Sequence, residues 1–124
     1  MAIAKNFSIT KTGLVIVFTT DASKPKHRME IDTTDATITE TNHDTLVLAD
    51  GTEDQALSFG GVTDATKLII ISDVEVTVKI NGTDNDPIPV EPLLVICNKD
   101  GGISSVHISN ASGGPAEVEY MICG

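Results

Sequence analysis

From Val74 onward the chain alternates: Val74, Val76, Val78 and Ile80 are apolar, while Glu75, Thr77 and Lys79 are polar. A two-residue period puts one set of side chains on a buried face and the other in water, which suits a half-exposed β-strand and not a helix. Earlier in the chain, Met29/Ile31, Ala36/Ile38 and Leu46/Leu48 supply alternating apolar positions within 28–32, 36–41 and 45–49. Threonine is abundant there, and its branched Cβ fits a pleated surface better than a helix. Leu14, Val15, Ile16, Val17 and Phe18 form a continuous apolar run. Such a run predicts a strand covered on both faces, at a sheet centre or a subunit contact. Lys67–Ser72 is a further strong strand, and Leu93–Cys97, Ile103–Ser109 and Ala116–Ile122 are expected to close the fold.

Polar and proline-containing segments separate these runs. Asp21–His27 is expected to be a loop around Pro25, and Asn81-Gly82 a turn, because both residues tolerate positive φ. Pro87, Pro89 and Pro92 remove ladder donors, so 83–92 is predicted to be a loop or an edge segment. Thr52–Leu57 reads as one helical turn with Thr52 as N-cap. With about eight or nine short strands and turn signals roughly every 8–12 residues, the prediction is an all-β sandwich of jelly-roll or Greek-key type. Residues 1–124 are taken as one domain. The strand order is not contained in the pattern.

Composition narrows the core and the partners. Hydrophobic residues make up 40% of the 124, but aromatic ones only 3%, and there is no Trp. The core must therefore come from Val, Ile, Leu and Ala, which suits sheets stacked about 10 Å apart. Eighteen acidic against eight basic residues give a formal charge of −10. That field repels phosphate backbones and argues against nucleic acid as a partner. No apolar window is long enough for a membrane helix, and the first residues lack a secretory pattern, so synthesis in a cytoplasm is expected. Cys97 and Cys123 read as thiols packed like small hydrophobes. Without paired CxxC or HxxxH spacing they do not suggest zinc.

The reactive side chains assemble into nothing definite. Ser105 and His107 share a strand face, and Glu117 on a neighbouring strand would complete a triad, but no nucleophile elbow accompanies them. Asp84, Asn85 and Asp86, with Asp73 or Asp100, offer oxygens of the kind calcium prefers, in a spacing unlike an EF-hand and typical of turns. Tyr120 shares its face with Val118 and Ile122 and reads as core, leaving few rings on which a sugar could stack. These readings favour a non-enzymatic interaction module without cofactor or metal.

The segments Val76–Gly82, Pro87–Ile96, Gly102–Asn110 and Ala116–Ile122 together resemble the closing half of small β-sandwich virion proteins of tailed bacteriophages. The likeness spans roughly the last 50 residues and is strongest toward capsid decoration (cement) proteins. It implies a chain bound in many copies outside the shell, with the major capsid protein as partner and repeated contacts with copies of itself. The implied location is the capsid surface. Leu14–Phe18, the basic loop containing Lys24, Lys26 and Arg28, and the segment with Pro87, Pro89 and Pro92 are the expected contact surfaces. A tail, baseplate or head-fibre part, and a sugar- or calcium-binding sandwich module, are the alternative readings.

Overall fold

The computed structural model describes residues 4–9, 14–19, 28–32, 40–97 and 99–124, the first three ranges as backbone strands. The described residues fall into two compact units, Met1–Ile38 and Thr39–Gly124. The first unit holds an antiparallel meander of β1 (Ala4–Ile9), β2 (Leu14–Thr19) and β3 (Arg28–Asp32). The apolar run 14–18 is thus the central strand of its sheet, with Ile16 opposite both Phe7 and Ile31. The burial of its side chains, the loop at 21–27 and most of the strand expected at 36–41 lie outside the described residues.

The second unit is a sandwich of eight antiparallel strands in two four-stranded sheets. In chain order these are β4 (Thr41–Leu48), β5 (Thr52–Ala56), β6 (Lys67–Ser72), β7 (Val76–Ile80), β8 (Ile88–Val90), β9 (Leu93–Ile96), β10 (Val106–Asn110) and β11 (Ala116–Cys123). One sheet runs β4-β11-β6-β9 and the other β5-β10-β7-β8. Pairing is nested: β7 with β8, β6 with β9, β5 with β10 and β4 with β11. A long hairpin wound around two sheets gives this order, so the sandwich is a jelly roll.

Alternation decides which side chains meet between the sheets. Leu48, Leu68, Ile70, Val78, Ile108 and Val118 are all buried in one cluster. Tyr120 is buried with Val118 and Ile122, as the sequence suggests. On the opposite face of β6 and β11, Ile69, Met121 and Cys123 are also fully buried, so this sheet buries apolar side chains on both faces. Leu68–Ile71, four apolar residues in succession, is the sequence form of a strand buried on both faces.

Two expectations are corrected. Thr52–Ala56 is strand β5, not a helical turn. So short a helix lacks the bonds to offset nucleation, whereas β10 offers a ladder, with His107 opposite Ala56 and Ile108 opposite Gln55. The Thr52 hydroxyl, expected as an N-cap acceptor, instead donates to the Ala49 carbonyl at 2.7 Å. The strand expected from Ile103 begins only at Val106. Before it, Asn81 holds the chain in a loop, accepting from Ser104 N–H at 2.6 Å and donating to the Gly102 carbonyl at 3.1 Å. Asn81 (φ 61) and Gly82 (φ 140) form the predicted turn, and β8, with Pro89 at its middle, is the predicted edge segment.

Asn110 fastens one sheet to the other. Its buried amide donates to the carbonyls of Leu48 at 3.0 Å and Gly114 at 2.9 Å and accepts from Ser112 N–H at 3.0 Å. Replacement by leucine, which keeps the volume but none of these bonds, is expected to cost about 3 kcal/mol, since each polar group left buried and unpaired costs on the order of 1–3 kcal/mol. Urea unfolding of Asn110→Leu should show a lower midpoint at unchanged slope. A loss under about 0.5 kcal/mol would remove Asn110 from this role.

Candidate functional site

The expected contact residues separate by unit. Arg28 opens β3 opposite Thr19, which places it at the end of the apolar strand Leu14–Phe18 within one sheet. Lys24 and Lys26 lie outside the described residues. Pro87, Pro89 and Pro92 belong to the sandwich, where Pro89 faces Thr77 across the β7–β8 ladder. Proline removes a donor on the open side of this edge strand, while Val90 beside it is fully buried.

Charge divides in the same way. Five of the eight basic residues and four of the 18 acidic ones lie in Met1–Ile38. The sandwich unit therefore carries essentially all of the negative excess. Its cations are Lys67, Lys79 and Lys99.

The densest polar grouping in the sandwich is on the outward face of β5-β10-β7-β8. A register shift between Ile108 and Asn110 bulges β5, and Asp54 adopts φ 47 there. Its N–H donates to Ser109 Oγ at 2.9 Å, and its carboxylate meets Lys79 Nζ at 3.1 Å. Alternation along β10 puts His107 on the same face, with Nδ1 buried and without a hydrogen-bond partner. Two open depressions of about 400 and 480 Å³ meet over this face, sharing Thr77, Ser109 and Ala111. The Ser109 hydroxyl donates to the Asp54 carboxylate at 3.4 Å. The imagined triad does not converge: Ser105 precedes β10, and Glu117 is exposed on β11 in the other sheet. The sequence concealed the Asp54–Lys79–Ser109 grouping because it depends on a bulge and on strand order, and neither leaves a local pattern.

The acidic turn Asp84–Asp86 is braced from within, with Asn85 Nδ2 donating to the Ile80 carbonyl at 2.6 Å. Among the described residues no group of three His, Cys, Asp or Glu is placed to hold a metal ion, and no helix is long and apolar enough to cross a membrane.

Among the described residues two titrating groups are shifted. Burial, then the negative charge of Asp44, pushes the Tyr120 hydroxyl above its ordinary value of 10.0. That hydroxyl donates to the Ser58 carbonyl at 3.1 Å, which also accepts from Asn42 Nδ2 at 2.8 Å. The Cys123 thiol is pushed up mainly by burial, while Lys67 pulls the other way. Cys123 faces Lys67 in register, and continuing the β6–β9 register puts Cys97 on the far side of Lys67. Two ladder spacings separate the cysteines by about 10 Å, too far for a disulfide. Both are free thiols. Cys97, expected to be packed, is exposed just past the end of β9.

The chain matches no known family model, and no curated protein shows significant similarity to it.

Tyr120 is the only tyrosine, so phenolate absorbance reads it alone. Its titration midpoint should lie above 10.0 in the folded protein. A raised folded value favours the protonated form, so its contribution to stability is complete below the ordinary value and is lost as pH rises through the folded one. Tyr120→Phe should abolish that alkaline loss, and a midpoint at or below the ordinary value would contradict the burial described. For the thiols, an aromatic disulfide reagent should label Cys97 promptly and Cys123 only after unfolding, whereas two fast thiols per native chain would contradict the placement of Cys123.

Proposed function

We propose that this chain is a structural protein of a bacteriophage virion, a capsid decoration protein bound in many copies to the outside of the major capsid protein shell and stabilising it. The observation that carries this reading is the division of the chain into an acidic jelly-roll unit and an N-terminal unit holding five of the eight basic residues. A strongly acidic body joined to a nearly neutral unit that gathers Lys24, Lys26 and Arg28 suits a coat in which that basic cluster meets an acidic patch on the shell. The segments that resemble virion proteins fall on β7 and on β8 to β11, the last outgoing strand and the returning half of the jelly roll. Repetition over a lattice makes even a weak single contact effective.

The test is copy number and attachment. In purified particles the protein should be present at a stoichiometry comparable with the major capsid protein, should be released by molar salt, and should bind stripped heads less well when Lys24, Lys26 and Arg28 are replaced by glutamate. Absence from particles would overturn the reading. Presence at a small fraction of the shell protein would move it to a tail, baseplate or head-fibre part.

A further inference from the structure

A β-sandwich presents four sheet edges, and an undefended edge is a template for another strand. Three of the edges here are defended. β8 is three residues long with Pro89 in its middle, and β9 is four residues long and follows Pro92. β5 is bulged and carries Glu53 and Asp54. β4 differs from all of them. It runs unbroken for eight residues, Thr41–Leu48, with neither proline nor lysine and with Asp44 as its one formal charge, and pairs with β11 without a register shift. Among the described residues no strand lies on its other side.

The hydrogen-bond phase of β4 follows from its end. Glu40 and Gly124 exchange both backbone bonds, at 3.0 and 2.9 Å. Antiparallel alternation then turns Asn42, Asp44, Leu46 and Leu48 toward β11, and Thr41, His43, Thr45 and Val47 outward. The Thr45 N–H confirms this phase, since it is met not by β11 but by the Asp44 carboxylate at 2.8 Å. The outward row contains no Asp, Glu, Lys or Arg, in a unit that is otherwise strongly acidic. Val47, the last of that row, is 66% exposed, the large apolar residue left most open in the sandwich.

We propose that β4 is a self-association edge, at which a second copy of this chain adds its own β4 antiparallel to form one sheet continuous across a twofold axis. A second copy is the occupant the edge fits, because a row without formal charge can meet itself in a protein whose net charge repels copies elsewhere. The register that avoids setting Asp44 directly opposite itself places Thr45 against Thr45 of the second copy and His43 against Val47 of the second copy, and in it each Thr45 N–H passes from its own Asp44 carboxylate to the facing Thr45 carbonyl. Threonine opposite threonine is a favourable cross-strand pair, and like charges directly opposite are not. Edge pairing alone buries less than a standard interface of about 1,600 Å², so association is weak and depends on concentration. The inference stands apart from the virion reading and does not need it.

Sedimentation velocity of the full chain over a rising concentration series should show a monomer–dimer equilibrium. Hydrogen exchange should show the His43 and Val47 amides unprotected when dilute and protected when concentrated. Val47→Lys alters an exposed side chain, and Thr45→Pro removes a donor that β11 does not use; each should weaken association by about tenfold or more without changing the fold. Gln55→Lys, the same charge change on the defended β5 edge, should leave association as it was. A chain monomeric at every concentration, a dimer indifferent to both β4 variants, or His43 and Val47 amides already protected when dilute would each overturn the proposal.

Discussion

The sandwich depends on the ladder between its first strand and its last. β4 and β11 pair from Thr41 with Cys123 to Leu48 with Ala116, so the ends of the unit are joined and everything between them is enclosed. Closing so long a loop in one step is costly in entropy, and folds dominated by distant pairings form slowly. Nesting reduces that cost. Once β7 pairs with β8 across the braced turn at Asn81–Pro87, each further ladder needs only short connections to close. Asn110 then ties β10 to the Leu48 carbonyl, so the outermost ladder and the opposite sheet are held by one buried side chain.

Local pattern made the strands legible and left their neighbours unknown. Val76–Ile80 and Ala116–Cys123 were readable because alternation is a property of each strand alone. Asn81-Gly82 was readable because the need for positive φ is local as well. Thr52–Ala56 was misread for the converse reason: its residues carry a capping signal, and only pairing with β10, about fifty residues away, makes it a strand. The polar grouping at Asp54 was hidden by the same dependence. Serine and histidine two apart on a strand do share a face, as His107 and Ser109 show, but the acid near that face comes from a bulge on β5 and not from β11.

Charge adds a second level of organisation. The acidic residues of the sandwich occur mostly in turns and on outward positions, where they disturb no packing and keep copies apart. Where a cation is present within the sheet it is engaged, as Lys79 is by Asp54 at 3.1 Å. A half-buried pair of this kind, still reached by solvent, contributes on the order of 1 kcal/mol or less to stability, so its effect is to pin the bulge rather than to hold the fold.

Acidity and self-association are reconciled by distance and salt. Repulsion between two sandwich units acts over a Debye length, about 8 Å at physiological ionic strength, and fades as salt rises, whereas backbone pairing at β4 is short-ranged and little screened. Pairing through the uncharged outward row of Thr41, His43, Thr45 and Val47 therefore strengthens with salt. Attachment through Lys24, Lys26 and Arg28 to an acidic surface, as proposed for the virion, weakens with it. The two contacts thus oppose each other in salt dependence, because one works against the net charge of the chain and the other works through its exception.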